Sequence, residues 1–309
     1  MTATLLQALL FQSGYNAALV SIGAALLGFA AGCTGAFTTL RRRALVSDAM
    51  AHATLPGIGL AFLVMAALGS DGRWLAGLLL GAGISAALGL MALNRLTRTR
   101  LPEDAAIGAV LSTFYGAGIV ILTVIQNLSL GRPAGLESFL LGSTAGMLRD
   151  DALLVAGGGA VTLALLWLLR RALVMTAFDP AHARLMGIDT RAADMALLVL
   201  TLACVLLGLR VVGLILIVAL LITPALAARL WSDRMSTVAL LAGAIGAVSG
   251  HLGAALSVAL PDLPTGPAIV LLAFAAFALS ALIAPRRGLI ARSIAHARLR
   301  ARLAAGEQT

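Results

Sequence analysis

The fold of this chain is decided by long apolar runs such as residues 193–209, which read ADMALLVLTLACVLLGL. This run contains no proline, and it lacks the alternation of polar and apolar residues that marks a membrane β-strand over about ten positions. Only helices and closed barrels satisfy every backbone hydrogen bond inside a bilayer. The run therefore predicts a helix that crosses a membrane.

The composition of the whole chain agrees with this prediction. Hydrophobic residues make up 61% and charged residues 11%, with a mean hydropathy of +1.02. A soluble domain has about 25% charged residues. Since a span needs about 20 residues, the 309 residues have room for roughly eight to ten spans. We predict an all-α integral membrane protein, a polytopic bundle of about nine transmembrane helices.

Nine candidate spans occupy roughly residues 15–39, 44–68, 74–95, 104–126, 151–174, 191–208, 211–230, 236–260 and 266–284. The break between the sixth and the seventh is the weakest, because only Leu209 and Arg210 separate the two apolar runs. Residues 136–142 are too short to span and are expected to be interfacial or re-entrant. The transmembrane domain, residues 15–285, then lies between an interfacial N-terminal segment, residues 1–14, and an arginine-rich tail, residues 286–309.

The positive charge is distributed as a topology signal. The net charge is +9, and all basic residues are arginines in short patches between apolar runs. This pattern is typical of membrane orientation and argues against a nucleic-acid partner. If the N-terminus is outside and the C-terminus is cytoplasmic, the cytoplasmic side carries every arginine except Arg73, Arg132, Arg149 and Arg210.

Several enzymatic motifs are absent from the sequence. A phosphate-binding loop needs a lysine on the nucleotide, and the chain has no lysine. It also has no HExxH zinc motif and no GxSxG nucleophile motif. We therefore expect neither an ATPase nor another enzyme.

The candidate chemistry lies in residues 41–57, which read RRRALVSDAMAHATLPG. Asp48 and His52 are four residues apart, so a helix places them on one face. Ionisable groups at membrane depth usually mark an ion or substrate path. A carboxylate and an imidazole suit a divalent transition metal. Because binding needs an ionised carboxylate and a neutral imidazole, we expect it to weaken as pH falls from about 7.5 to 5.

Other readings of these residues stay open on local sequence alone. Asp48 could be a structural acid paired with the arginines at 41–43, and His52 a hydrogen-bonded core imidazole. His251 is a secondary candidate for the path, with a buried, hydrogen-bonded histidine as the alternative. Pro56 and Pro224 lie inside candidate spans, and each removes a helical hydrogen bond and predicts a kink that shapes the path.

The segment 178–189, FDPAHARLMGID, predicts a short helix outside the membrane. Asp179 suits the N-cap, Pro180 the first turn and Gly187 the position just after the helix. The apolar tip made by Leu185 and Met186 suggests a docking element for a cytoplasmic partner. An ordinary loop helix is the alternative.

Three ordered segments resemble the membrane subunits of ATP-binding cassette importers for manganese, zinc or iron. Residues 40–57 resemble the signature of the second helix, residues 178–189 the coupling helix, and residues 212–229 a motif of a late span. In this resemblance Ser47 stands where glycine is common, and its hydroxyl is a further candidate ligand. The resemblance assigns contact with the ATPase to Phe178, Asp179, Pro180, Arg184, Leu185, Met186 and Gly187.

The resemblance implies a permease that works by alternating access in a bacterial inner membrane. It implies a second permease subunit, a cytoplasmic ATPase dimer and a periplasmic or lipoprotein metal-binding protein as partners. No cofactor is expected to stay bound, since Mn²⁺, Zn²⁺ or Fe²⁺ would be cargo. The alternative is an ion-coupled secondary carrier with Asp48 as a relay, which would transport without an ATPase.

Overall fold

The computed structural model describes residues 2–41, 43–69, 74–128, 147–260, 263–285, 287–291 and 293. Its helices are α1 (Thr2–Leu9), α2 (Tyr15–Leu40), α3 (Ala44–Ala67), α4 (Leu75–Leu96), α5 (Glu103–Asn127), α6 (Arg149–Phe178), α7 (Pro180–Leu185), α8 (Thr190–Val211), α9 (Leu214–Arg229), α10 (Met235–Ala259) and α11 (Thr265–Ile283). The described residues form no strand. The predicted interfacial piece at 136–142 and most of the tail, 286–309, lie outside the described residues.

The predicted fold class is confirmed. Eight of the helices in the described part of the chain are long and apolar enough to cross a membrane. The seventh predicted span, residues 211–230, corresponds to α9, which is apolar but has only 16 residues. Each of the nine predicted spans matches one helix, and most of their ends agree within two residues.

The break between the sixth and seventh spans differs from the prediction. Helix α8 continues through Arg210 to Val211, and the chain turns at Val212 and Gly213 instead. Gly213 has φ +83°, a left-handed conformation that glycine adopts without steric strain. Helix α8 thus continues past Arg210, and the position of the turn is set by the backbone freedom of Gly213.

Helix α6 is longer than predicted. It has 30 residues and ends at Phe178, although the predicted span stops at residue 174. At 1.5 Å per residue it is about 45 Å long, which exceeds a hydrocarbon core of about 30 Å. The Arg170 side chain lies over the ring of Trp167 on the surface of α6, with its guanidinium carbon 4.4 Å from the ring centroid. The helix continues past this arginine. The helix ends at Phe178, two residues before Pro180.

The centre of the bundle is the packing of α2 against α10. A Cβ at Gly246 would lie 2.1 Å from the Gly28 carbonyl oxygen, and a Cβ at Gly28 would lie 2.2 Å from that of Gly246. Such backbone contact requires small residues at the interface. Around it lies an apolar core that includes Leu27, Ile217 and Leu221, each fully buried.

Hydrogen bonds join the helix ends at one side of the bundle. The Arg229 side chain donates to the Thr39 carbonyl oxygen at 3.4 Å, which joins the ends of α9 and α2. The Arg287 side chain, just after α11, donates at 3.5 Å to the Arg229 carbonyl oxygen. Arg41 and Arg43 lie at the same side, between α2 and α3. We call this side the arginine-rich end.

Candidate functional site: a carboxylate and an imidazole on α3

The predicted pair lies on one face of α3, one helical turn apart. Asp48 Oδ1 and His52 Nε2 are 3.4 Å apart. Measured along the axis of α3 at 1.5 Å per residue, His52 lies about 13 Å from Arg43 at the arginine-rich end. Both groups are therefore well inside the helix that should cross the bilayer.

The pair is neither sealed in the core nor fully open. The side chain of Asp48 is 34% exposed and that of His52 is 21% exposed, while the neighbouring Ala49, Ala51 and Ala53 are buried. The rest of the described chain therefore shields the carboxylate and the imidazole only in part.

His52 also contacts α5. Its ring meets the ring of Tyr115 edge-on, with centroids 5.1 Å apart and an interplanar angle of 84°. The other ring nitrogen, Nδ1, is buried without a hydrogen-bond partner among the described residues. A buried ring nitrogen of this kind usually has a hydrogen-bond partner or a ligand. In this respect His52 differs from a structural histidine whose two ring nitrogens both form hydrogen bonds.

Pro56 lies inside α3, one turn after His52, and is buried. Because proline has no N–H, the carbonyl of His52 loses its helical donor. Two glycines bring neighbouring helices to this point. A Cβ at Gly118 of α5 would lie 3.3 Å from the Pro56 nitrogen, and a Cβ at Gly57 would lie 2.0 Å from the Gly81 carbonyl oxygen on α4. The turn after His52 is thus held between α4 and α5. Pro224, in α9, is also buried.

The structural alternative for Asp48 is not borne out for the described arginines. Arg41 pairs with Asp194 of α8, and Arg43 Nε lies 3.1 Å from Glu103 Oε1 at the start of α5. Each of these guanidinium groups is thus paired with a carboxylate other than Asp48. Ser47 is buried, and its hydroxyl donates to the Ala44 carbonyl, so its proton is used within the helix.

His251 lies in a different part of the bundle. Its Nδ1 is hydrogen-bonded to Ser21 Oγ at 2.6 Å, and its ring lies 5.0 Å from that of Phe11 in the N-terminal segment. Counted from Arg234, His251 is about 25 Å from the arginine-rich end. Among the described residues no cluster of three or more His, Cys, Asp or Glu side chains forms, so the candidate site within one chain has two ligands.

The predicted short helix forms as α7. Asp179 Oδ1 accepts from the backbone N–H of Ala181 at 3.0 Å and of His182 at 2.9 Å, Pro180 is the first residue, and Gly187 has φ +78°. Ala183 is buried, whereas Phe178, Leu185 and Met186 are 65%, 85% and 63% exposed. The Arg184 side chain donates to the Pro180 carbonyl at 3.1 Å. The helix is fixed on one side and presents apolar side chains on the other.

Sequence reasoning did not predict two contacts near these elements. Tyr115 contacts His52, and Arg41 and Asp194 form an ion pair between residues 153 positions apart. The available signals were weak: a tyrosine inside an apolar span, and an acid at the start of the run that ends at Leu209. Neither signal indicates which partner the side chain meets.

A bundle of helices that are long and apolar enough to cross a membrane defines a polytopic membrane protein. The sequence profile described as the ABC 3 transport family matches residues 15–284. The chain belongs to this family of ATP-binding cassette transport proteins. The predicted resemblance is confirmed.

Individual relatives agree with the family assignment. The chain is 41% identical over 288 residues to the manganese transport system membrane protein MntC of Bacillus subtilis, covering 93% of this chain and 65% of that protein. It is 36% identical over 279 residues to the zinc transport system membrane protein TroC of Treponema pallidum, covering 90% and 92%. Its fold is similar to a chain of PsaBC from Streptococcus pneumoniae, solved with a Fab, with TM-score 0.78, 30% identity and coverage of 93% and 98%.

Proposed function

We propose that the chain is the permease subunit of an ATP-binding cassette importer that moves a divalent transition metal into a bacterial cell. The observation that carries this is the Asp48–His52 pair, one turn apart and partly exposed at membrane depth, in a chain of the ABC 3 transport family. The names of two relatives support manganese or zinc as cargo. Iron is supported in the same way, because another relative, 32% identical over 291 residues, is named as a chelated iron transport system membrane protein, and oxygen and nitrogen ligands suit all three metals.

The geometry of the pair suits a shared ion. Two ligand atoms that each lie about 2.1 Å from one metal are roughly 3.4 Å apart at a tetrahedral angle, and Asp48 Oδ1 and His52 Nε2 are 3.4 Å apart. Asp48 supplies charge, and the nitrogen of His52 favours a transition metal over calcium or magnesium, which prefer oxygen. Two protein ligands hold a cargo ion weakly enough for it to leave. Water or the second permease subunit completes the coordination.

We assign the docking of the ATPase to α7 and its flanks. The exposed apolar side chains of Phe178, Leu185 and Met186 suit a groove on a cytoplasmic protein, and the Asp179 cap and the Gly187 turn keep the short helix intact. Closure of the ATPase dimer would move α7, and α6 and α8 would carry that motion into the bundle. The path would then open alternately to the two sides.

This proposal sets the orientation and the partners. The arginine-rich end faces the cytoplasm, with the C-terminus inside and the N-terminus outside, in agreement with the positive-inside rule. A second permease subunit, a separate ATPase dimer and a metal-delivering protein on the outer face complete the importer. ATP hydrolysis belongs to the ATPase subunits.

Uptake of ⁵⁴Mn²⁺ and ⁶⁵Zn²⁺ into proteoliposomes tests the proposal. The permease is reconstituted with and without its ATPase partner, with the delivering protein on the outer face and ATP inside. We expect uptake only when both the ATPase and ATP are present. Equal uptake without the ATPase would replace the importer with the secondary carrier, and no uptake of any divalent metal would refute metal transport.

A further inference from the structure

The turn between α2 and α3 is attached to two separate parts of the arginine-rich end. Arg41 follows the last residue of α2, and its side chain reaches both α6 and α8, the helices that flank α7. Arg43 precedes α3 and pairs with Glu103 at the start of α5. Asp48 follows five residues after Arg43. The turn therefore lies between the flanks of α7 and the helix that carries the candidate metal pair.

The contact of Arg41 with α6 has a specific cause in the sequence. The carbonyl of Thr176 would normally accept from the N–H of residue 180, but residue 180 is proline and has none. Arg41 Nη1 donates to this carbonyl at 2.9 Å instead. Pro180, the first residue of α7, thus leaves the Thr176 carbonyl free to accept a hydrogen bond from the Arg41 side chain.

The contact of Arg41 with α8 is an ion pair with Asp194, and it is shielded from water. The two side chains are 18% and 23% exposed. In the neighbouring pair, Arg43 is 24% exposed but Glu103 is 46% exposed. Separating a shielded pair leaves charges poorly solvated, whereas separating an exposed pair has little effect. The end of α2 must therefore follow α8 when α8 moves.

Three polar atoms at this end of the bundle are left without partners among the described residues. Arg41 Nε, a donor, and the hydroxyls of Thr176 and Thr39, which can donate or accept, are all buried with no hydrogen-bond partner in the described part of the chain. Unpaired buried polar atoms are rare and require an explanation. A shift of α6 against the end of α2 would let Arg41 Nε pair with the Thr176 hydroxyl, so this end of the bundle has the parts for a second arrangement.

We propose that Arg41 is a positioning residue that transmits movement of α7 to α3, through its bonds to Thr176 and Asp194. The proposal rests on the assignment of α7 as the site of ATPase contact and of Asp48 and His52 as the metal path. When α6 and α8 move with α7, Arg41 draws the turn before α3 with them and changes the position of the pair. Arg41 itself does not touch the metal.

The test compares Asp194→Asn with Glu103→Gln in the complete importer. Both substitutions remove a carboxylate that pairs with an arginine of the same turn, but only Asp194 connects that turn with a flank of α7. For Asp194→Asn we expect ATP hydrolysis close to wild type, with metal uptake per ATP reduced about five-fold or more, the usual size of a coupling effect. For Glu103→Gln we expect the ratio to stay within about two-fold. An unchanged ratio in Asp194→Asn, or a parallel loss of hydrolysis and uptake, overturns the proposal.

Hydrogen exchange on the wild-type complex gives a second test, which does not depend on a variant that folds. We expect ATP to change the exchange of the amides of residues 44–51 together with those at the end of α6. A change at the end of α6 with none at residues 44–51 refutes transmission through Arg41. Since no metal is needed for this measurement, failure of metal uptake in the wild type counts against the proposed function alone.

Discussion

Two of the histidines that the structure describes, His52 and His251, lie inside the bundle and have different surroundings. His52 has a carboxylate 3.4 Å away on its own helix, an aromatic edge from Tyr115, and a buried ring nitrogen without a described partner. His251 has its Nδ1 bonded to the hydroxyl of Ser21 and its ring beside Phe11. The two rings also differ in depth by roughly 12 Å along the bundle.

The comparison shows that the partners of a buried histidine, more than its burial, indicate its role. A neutral hydroxyl and an aromatic ring complete the surroundings of His251 without adding charge, which is what a structural imidazole needs. A carboxylate beside His52 adds negative charge at a depth where ions are costly, and that charge is balanced when a cation binds. The following predictions test this difference, from the largest expected effect to the smallest.

Asp48→Asn should have the largest effect. The amide keeps the shape of the side chain but removes the charge that balances a divalent cation. Loss of even an outer partner of a metal ligand lowers affinity about 10- to 100-fold, so we expect uptake to fall at least about ten-fold. The measurement is radioactive metal uptake by cells that lack other importers, with the membrane content of the permease determined by immunoblot. Asp150→Asn, an exposed acid in the first turn of α6, is the matched control, and normal uptake by Asp48→Asn would remove the carboxylate from the path.

His52→Ala should lower uptake about ten-fold and also change selectivity. With only the carboxylate left, the site loses the nitrogen that disfavours calcium and magnesium. Competition of Ca²⁺ and Mg²⁺ with transition-metal uptake, measured at several ratios, should therefore become stronger than in the wild type. If the variant loses uptake with no change in competition, His52 positions Asp48 and does not select the ion.

Pro56→Ala tests the turn that follows His52. Alanine restores an N–H that can bind the carbonyl of His52, so the helix straightens and the free carbonyl is lost. One hydrogen bond is worth about 0.5–1.5 kcal/mol, which corresponds to an expected change in uptake of roughly two- to ten-fold. Pro224→Ala, the same change in α9, is the companion variant. A larger defect in Pro224→Ala than in Pro56→Ala would move the functional kink from α3 to α9.

The sequence predicted the features that a single helix carries. The spacing of Asp48 and His52, the cap at Asp179 and the turn at Gly187 are each determined within a few residues, and the structure forms the helix and the cap as expected. Helix length was less predictable. The predicted fifth span stops at residue 174, whereas α6 continues to Phe178, two residues before Pro180.

Contacts between helices could not be predicted from local pattern. Arg41 meets Asp194 across 153 positions, and Tyr115 meets His52 because Gly118 allows α5 to approach the backbone of α3 at Leu55 and Pro56. Such contacts depend on which small residues face each other after the helices pack. Because the sequence does not indicate that packing, Arg41 was one possible partner for Asp48, whereas the structure pairs Arg41 with Asp194.

His251→Asn should have the smallest effect on transport, and this prediction decides whether the two histidines differ as argued. Asparagine keeps a polar group that can bond Ser21 but removes the ring beside Phe11. We expect uptake within about two-fold of wild type and a loss of stability of about 1 kcal/mol, the size of one hydrogen bond or aromatic contact. Thermal unfolding of the purified permease and metal uptake are both measured, with Ser21→Ala as the variant that removes the other partner. If His251→Asn instead abolishes uptake at unchanged stability while Ser21→Ala leaves uptake intact, His251 belongs to the ion path. The path then extends along the bundle from the depth of His52 to that of His251.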